Sequence, residues 1–282
     1  MDWKKTINDI RKWAQTRTGI TTICCVIGVI VVIFIAAVIS STNKTDTEEE
    51  VVETVTEETT EEAEEEVVEE KSLLEQDIEL LESLGIPVPD KEVDIAALQE
   101  DTNEDIYAWI YIPDTVIDYP IVQDPDDNTY YLSHNLDGSD GYPGCIYSEN
   151  YNSTDFTDPH TVLYGHNMSD GSMFGDLDDY SDETFFEEHP YIYIYTETRL
   201  FAYEIYAAYR SGDEHLLLNY DLTDTSVFQE YLTTAKTTAE NARGIYTAAW
   251  EPTGEEHILT LSTCVAVNET KRYLVQAILV EE

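Results

Sequence analysis

The chain has 282 residues, which is enough for one domain of roughly 200 residues together with additional segments. It carries 59 acidic and 14 basic residues, a formal net charge of -45. A surface this acidic repels a phosphate backbone, which argues against nucleic acid as a partner. We interpret the charge as a source of solubility and self-repulsion rather than as a cation-binding device.

The N-terminus has the pattern of a membrane anchor. Residues 1–19 form a basic segment, and residues 20–39 are almost entirely apolar. About 20 helical residues span the roughly 30 Å hydrocarbon core of a bilayer. A cleaved signal peptide is the alternative, although its apolar run is usually only about 7–15 residues long. Because the basic flank precedes the span, we expect a single-pass cell-membrane protein with a cytoplasmic N-terminus and the remaining chain outside the cell.

An acidic segment follows the apolar run. Residues 40–71 are dominated by Thr, Glu and Val, and they contain no aromatic residue, Pro or Gly. Like charges at this density repel, and the little apolar surface cannot offset the entropy lost on ordering. We therefore predict a disordered stalk that holds the next domain away from the membrane. A helix is the competing interpretation, because Glu and Ala permit one.

Residues 72–104 have the pattern of an N-terminal helical segment. Apolar residues recur at helical spacing between residues 73 and 84. Ser72 is placed as the N-cap of this helix, and Gly85 marks its end. A second, shorter helix is predicted at residues 94–100.

From residue 105 onward the pattern is mainly β. Short runs rich in β-branched and aromatic residues alternate with Asn, Asp, Gly and Pro, which favours a barrel or a sandwich. Helical stretches at residues 172–180 and 224–239 interrupt the strands, and an apolar stripe along the second indicates core packing. Before the last hairpin, the predicted strands cover residues 107–112, 116–122, 144–147, 161–164, 191–196 and 201–210.

The most informative stretch is a predicted β-hairpin with strands at residues 258–264 and 271–280. Side chains alternate across a strand, and matching the two apolar rows to one core puts Cys264 and Arg272 together on the opposite face. A thiolate is a nucleophile, and a fixed cation stabilises anionic charge on sulfur or on an oxyanion. His166, which opens a polar loop after a strand-like run, is the best candidate for the base that such a thiol needs.

Other interpretations of these residues are available. Cys145 also lies outside the apolar run, and a disulfide between Cys145 and Cys264 is the alternative to a reactive thiol. For Arg272 the alternative is a surface ion pair, a role that Arg199, Arg210 and Arg243 could serve equally. The sequence contains no HExxH, CxxC or EF-hand spacing, so we expect no metal and no cofactor.

Three separated motifs resemble those of the sortases, the membrane-anchored cysteine transpeptidases of Gram-positive bacteria. They are YGHNM at residues 164–168, TLSTC at residues 260–264 and the following Arg272. Their order makes the resemblance specific, where TLSTC alone would be weak. The resemblance runs from about residue 73 to the end of the sequence.

Longer stretches are similar to class B sortases in particular, at residues 109–123, 127–132 and 165–177. This resemblance implies a mainly β fold, a closed barrel of about eight strands that forms the catalytic domain at residues 105–282. It also implies helices in front of the barrel, at residues 72–104, and a helix between the sixth and seventh strands.

The resemblance implies a two-step acyl transfer on a C-terminal sorting signal, LPXTG-like or NPQTN-like, of secreted proteins. Cys264 would form a thioester, His166 would exchange the protons, and Arg272 would bind substrate or the oxyanion. The acceptor would be an amine of a peptidoglycan precursor or of a pilin. The residues implied to line the substrate groove are Asn128, Leu132, Tyr164, Ser262 and Thr263.

Two alternatives to a transpeptidase remain. An extracellular cysteine protease would share Cys264 and His166 but would release the acyl group to water. A non-catalytic surface-binding module would keep the barrel and would not need the thiol. Val265 departs from the acidic or polar residue that class B members often have there, which leaves the substrate preference open.

Overall fold

The structure is a computed structural model that describes residues 71–265 and 268–281. The predicted cytoplasmic segment, residues 1–19, and the predicted membrane anchor, residues 20–39, lie outside the described residues, as does the predicted stalk apart from Lys71. Within the described part of the chain, no helix combines the length and the apolar character needed to cross a bilayer.

Two helices precede the first strand. Helix α1, Leu73–Leu84, begins with a capping box in which Ser72 and Glu75 each accept a hydrogen bond from the backbone N–H of the other. It ends at Gly85, whose φ of 74° lies in the left-handed region that glycine adopts without strain. The predicted cap and the predicted end of this helix are therefore confirmed. Helix α2 covers Ile95–Asp101.

The described residues then contain nine strands, with several helices between them. In chain order these elements are β1 Ile106–Tyr111, β2 Asp118–Val122, α3 Tyr130–Ser133, β3 Ile146–Tyr147, β4 His160–Tyr164, a 3-10 helix Gly175–Ser181, α4 Glu183–Glu188, β5 Tyr191–Tyr195, β6 Leu200–Ser211, α5 Thr225–Ala242, β7 Ile245–Tyr246, β8 Ile258–Val265 and β9 Asn268–Leu279. Strands β1 to β6 begin and end within two residues of their predicted bounds. The short helices α3 and α4 were not predicted.

Eight of these strands close into a barrel. Neighbouring strands pair in the order β5-β1-β2-β3-β4-β8-β9-β6, and a further pairing of β5 with β6 joins the two ends. Among the described strands, the two-residue strand β7 pairs only with β6 and is not part of the ring. Helix α5 lies between β6 and β7 in the chain. The predicted mainly β, closed barrel of about eight strands, with a helix between the sixth and seventh strands, is thus confirmed.

Helix α1 is tied to the β5–β6 hairpin by an ion pair between the nearly buried Asp77 and the partly exposed Arg199. The Asp77 carboxylate accepts hydrogen bonds from Arg199 Nε at 2.7 Å, from Arg199 Nη2 at 2.8 Å and from the Leu200 backbone N–H at 3.0 Å. This hydrogen bonding raises the pKa of the Arg199 guanidinium. Bidentate contacts of this kind fix orientation as well as distance, and Leu81 packs beside them against Tyr193.

Helix α5 covers part of the outer face of the barrel. Phe228, Leu232 and Ala235, which belong to its predicted apolar stripe, pack with residues of β6, β8 and β9 in one buried cluster. A larger cluster fills the barrel interior and includes Leu259 and Leu261. Strand β8 therefore contributes alternate residues to the two clusters, as its period of two requires.

A buried polar network joins α5 to the barrel. Gln276 is fully buried; it donates to the Tyr231 hydroxyl at 3.0 Å and to the Thr260 hydroxyl at 3.1 Å, and it accepts from the Tyr209 hydroxyl at 3.0 Å. His160 joins the network through Thr260, with Nε2 at 2.7 Å from Oγ1. An unpaired buried polar group costs about 1–3 kcal/mol. Any shift of α5 that broke these hydrogen bonds would carry that cost, so the network stabilises the observed position of the helix.

The network predicts an acid-sensitive fold. Burial lowers the pKa of His160 from 6.5 to about 3. Below pH 6.5 the unfolded chain binds a proton at this residue that the folded chain does not bind. The stability that neutral His160 contributes is therefore complete above that pH and is lost as the pH falls towards 3.

We expect His160→Gln, which keeps a hydrogen-bonding side chain but does not titrate, to flatten this dependence. Between pH 7 and pH 4, the free energy of unfolding of the unmodified protein should fall by about 3 kcal/mol more than that of the variant. Denaturant titrations followed by circular dichroism at several pH values measure the difference. Equal pH slopes for the two proteins would show that His160 is not held neutral.

Candidate active site

A cleft of about 340 Å³ brings the predicted catalytic residues together. Its walls come from the ends of β4 and β8, from β9 and from the connection between β6 and α5. His166, Cys264 and Arg272 all line it. Four of the five predicted groove residues also line it, namely Leu132, Tyr164, Ser262 and Thr263.

The fifth predicted groove residue, Asn128, does not line the cleft. Its side-chain oxygen accepts a hydrogen bond from the backbone N–H of Asn150 at 2.6 Å. In the structure it therefore connects two loops outside the cleft, and its role in binding substrate stays a prediction.

The parallel pairing of β4 with β8 brings the loop of His166 to the end of the strand that carries Cys264. Tyr164 and Ser262 are register partners, and the backbone N–H of Gly165 donates to the carbonyl of Ser262 at 3.2 Å. The Thr263 hydroxyl donates to the carbonyl of Gly165 at 2.8 Å, although these residues are 98 positions apart in the sequence. The backbone itself thus fixes the separation of the two chain segments.

Gly165 is required where these segments meet. A Cβ atom at this position would lie 2.5 Å from Ile146 Cδ1 and 2.7 Å from Phe174 Cδ2. Both neighbours are fully buried in the barrel core, so neither has room to move. A glycine immediately before His166 lets the chain pass over the core and present the imidazole to the cleft.

The β8–β9 hairpin places Arg272 directly across from Cys264. The two residues are register partners in the antiparallel pair, as predicted from the two apolar rows. Directly opposed residues in such a pair have Cβ atoms about 4.5–5.5 Å apart. Arg272 is also the register partner of Ser211 on β6, so strands on both sides hold its backbone.

The predicted position of the turn in this hairpin was wrong. Asn268 and Glu269 were placed in the turn, whereas the structure includes both in β9. The register shifts between Cys264, which faces Arg272, and Val265, which faces Asn268. This irregularity accommodates extra residues on β9 while the apolar rows of the two strands remain matched, and it lies at the residue that carries the thiol.

Asn167, which was not predicted as a site residue, supports the backbone of Cys264. Its side-chain amide donates to the carbonyl of Cys264 at 3.0 Å and to the Asp178 carboxylate at 3.0 Å. The amide therefore fastens the loop after β4 to the end of β8. The sequence signal that could have identified Asn167 as a site residue is its position directly after His166 in the YGHNM motif.

The two cysteines of the described residues differ in their surroundings. Both are free thiols, so the alternative of a disulfide between them does not occur in the structure. Cys145 is buried, and burial raises the pKa of its thiol to about 12. Cys264 is partly exposed in the cleft. Accessibility therefore favours Cys264 as the reactive thiol.

Two neighbours orient the imidazole of His166. Its Nε2 lies 2.8 Å from the backbone carbonyl oxygen of Leu132. A carbonyl oxygen only accepts hydrogen bonds, so Nε2 carries the hydrogen and the neutral ring keeps its lone pair on Nδ1. The ring of Tyr142 packs on the imidazole, with centroids 4.6 Å apart. Leu132 thus contacts His166 through its backbone, a role that its side-chain type does not reveal.

Another part of the cleft wall is formed by two tyrosines and a histidine–carboxylate pair. The rings of Tyr147 and Tyr164 stack with centroids 5.5 Å apart, and burial raises the pKa of both phenols, so both remain protonated at neutral pH. The Tyr164 hydroxyl donates to Glu149 at 3.1 Å, and Glu149 pairs with His215 at 3.0 Å. Neither Glu149 nor His215 was predicted as a site residue, because both lie in irregular connections.

Known proteins with similar sequences and structures share this region. The family model described as "Sortase domain" matches residues 110–280, which include the whole lining of the cleft. Sortase B of Listeria monocytogenes is 37% identical over 162 residues. These residues are 57% of this chain and 63% of the Listeria protein, so the match spans less than two thirds of that relative.

Two solved structures show the same fold. A Staphylococcus aureus sortase B–substrate complex superposes with a TM-score of 0.59 and 26% identity, covering 73% of this chain and 92% of that one. A Streptococcus pyogenes class B sortase involved in pilus biogenesis superposes with a TM-score of 0.57 and 26% identity, covering 67% of this chain and 98% of that one.

The contact with Leu132 predicts the tautomer of His166. We expect neutral His166 to carry its hydrogen on Nε2, because the carbonyl at 2.8 Å stabilises that form. Long-range ¹H–¹⁵N NMR spectra of protein labelled with ¹⁵N-histidine distinguish the two tautomers, and His166→Gln assigns the signal. A signal from the Nδ1–H form would contradict this orientation of the ring.

Proposed function

The chain belongs to the sortase family, and on that premise we propose that it is a cysteine transpeptidase of the class B type. It cleaves a C-terminal sorting signal, LPXTG-like or NPQTN-like, of secreted proteins and transfers them to an amine. The observation that carries the proposal is that His166, Cys264 and Arg272 line one cleft. A fold alone hosts many functions, and these three side chains supply the chemistry.

In the first step, Cys264 acts as a thiolate and attacks the carbonyl carbon of the Thr in the signal. Its proton resides on His166, and Arg272 stabilises the oxyanion of the tetrahedral intermediate. The peptide C–N bond then breaks, and the leaving amine takes the proton from Nδ1 of His166. The product is a thioester on Cys264. Proton loss from Nδ1 returns the imidazole to the tautomer that the Leu132 carbonyl stabilises.

In the second step, an incoming amine attacks the thioester. It gives a proton to Nδ1 of His166, and Cys264 leaves again as the thiolate, so the three groups return to their starting state. A bound amine competes with water through its effective molarity, which allows transfer to exceed hydrolysis in aqueous solution. The same residues therefore serve a transpeptidase or a protease, depending on whether an amine is held in place.

The location of the protein is part of the proposal. The basic and then apolar sequence of residues 1–39 supports a single-pass anchor in the cell membrane with the catalytic domain outside the cell. That position suits an amine acceptor on a peptidoglycan precursor. The S. pyogenes relative is involved in pilus biogenesis, which keeps a pilin amine as the second candidate acceptor.

The fate of the acyl group separates this function from that of a cysteine protease. We expect oligoglycine, diaminopimelate or a Lys side-chain amine to raise total turnover of a sorting peptide and to divert the product from free acid to amide. Mass spectrometry of the products measures both effects. As the control, His166→Ala should block both routes. If every amine leaves hydrolysis as the sole outcome, the protein is a protease.

We expect peptide cleavage to require the planar set of N–H donors on the Arg272 guanidinium, which a Lys ammonium lacks. We expect Arg272→Lys to lower the rate of peptide cleavage roughly 10²–10³-fold, because Lys cannot reproduce the fork that faces an oxyanion. Arg210→Lys is the matched control, since Arg210 lies on β6 beside the register partner of Arg272 but does not line the cleft. Near-normal rates for Arg272→Lys would reduce Arg272 to a surface ion-pair residue.

Cys264→Ala should have no cleavage activity and should unfold at the same denaturant concentration as the unmodified protein. The substitution removes the nucleophile from a partly exposed position and leaves the backbone contacts of β8 in place. Peptide turnover and denaturant titration on the same samples test both halves of this expectation. Cleavage at the normal rate would exclude Cys264 as the nucleophile.

A further inference from the structure

His215 occupies the connection between β6 and α5 and lines the same cleft as Cys264. Its Nδ1 accepts a hydrogen bond from the backbone N–H of Leu218 at 3.3 Å. The other nitrogen, Nε2, therefore carries the hydrogen of the neutral ring and donates it to the Glu149 carboxylate at 3.0 Å. With both nitrogens occupied within the protein, His215 is arranged to hold chain segments together rather than to exchange protons with a substrate.

Glu149, the partner of His215, is itself well fixed. Its side chain is only 15% exposed, and the carboxylate also accepts the Tyr164 hydroxyl at 3.1 Å. Its backbone carbonyl accepts hydrogen bonds from the Gln123 side chain and from the Asn152 backbone, both at 3.0 Å. The carboxylate is therefore a rigid attachment point on the barrel, next to the strand that leads to the catalytic loop.

Two further contacts hold the connection beside His215. Leu216 packs against the buried cluster that contains Phe228, and the His215 carbonyl accepts a hydrogen bond from the Asn219 backbone N–H at 3.2 Å. Residues 212–216 contribute a wall of the cleft, yet Leu218, two positions later, is 57% exposed. Asp213 and Glu214 also line this wall. The ring of Tyr151 packs edge-on against His215, with centroids 5.7 Å apart.

We propose that His215 and Glu149 form a clasp that holds residues 212–216 as a wall of the peptide-binding cleft, an inference that rests on the proposed function. Both are positioning residues: neither exchanges a proton or forms a bond with the substrate, and each acts by fixing the wall that the peptide contacts. Loss of the clasp weakens binding of the peptide and leaves the bond-making steps at Cys264 intact.

Steady-state kinetics of the full-length protein with a sorting-signal peptide test the effect on binding. We expect His215→Ala to raise KM roughly 3- to 10-fold, the range for a typical intramolecular hydrogen bond that remains partly open to solvent. The value of kcat should change less than about 2-fold, because the interaction is equal in ground and transition states. His215→Gln should restore KM, since one amide supplies both a donor and an acceptor.

A double-variant comparison isolates the contact between the two residues. If the clasp acts as a unit, His215→Ala adds little to the KM of Glu149→Ala, whereas independent residues would multiply their effects. The matched control is His257→Ala, which removes a histidine–carboxylate pair with Glu281 of the same 3.0 Å length outside the cleft. This control should leave KM unchanged.

Hydrogen–deuterium exchange provides a measurement that needs no substrate. In His215→Ala, amides of residues 212–220 should exchange faster than in the unmodified protein, and in His257→Ala they should not. Unchanged exchange in His215→Ala overturns the clasp. Faster exchange with unchanged KM in an active enzyme overturns its role as a substrate wall. If the unmodified protein cleaves no sorting peptide, the proposed function fails, and exchange alone still decides whether the clasp exists.

Discussion

The candidate active site depends on the parallel pairing of β4 with β8. Five register pairs, from His160 with Ile258 to Tyr164 with Ser262, align the two strands so that both end on the same side of the barrel. The residues that follow β4 then reach the end of β8, where the Asn167 amide bonds the carbonyl of Cys264. Backbone register thus sets the position of the imidazole relative to the thiol.

The antiparallel hairpin adds the third group and also links the site to the outer layer. Thr260 and Gln276 lie on the same face of β8 and β9 as Cys264 and Arg272. These two residues belong to the buried polar network that joins the barrel to α5. The connection that precedes α5 in the chain lines the cleft, and there His215 pairs with Glu149. Catalytic groups and cleft wall are therefore fixed by one continuous set of contacts.

The sequence was most informative where the signal is local. The apolar rows of β8 and β9 predicted the register of Cys264 with Arg272, because one hairpin contains both strands. Short alternating strands could not separate a barrel from a sandwich, since both bury one face; the family resemblance decided that point. The hydrogen bond between Thr263 and Gly165 joins residues 98 positions apart, and no periodic pattern in the sequence indicates it. Likewise, His215 reads as part of an acidic turn, and only the fold shows that the turn returns to Glu149.

The most direct test asks whether Cys264 carries the acyl group. Intact-protein mass spectrometry of the full-length chain, mixed with a sorting-signal peptide and quenched in acid, detects such an intermediate. We expect a mass increase equal to the peptide fragment that ends in the Thr, located on the segment containing Cys264 after proteolysis and removed by hydroxylamine. Cleavage of the peptide with an adduct on a different residue, or without any adduct when a slow substrate allows one to accumulate, would contradict the thioester mechanism.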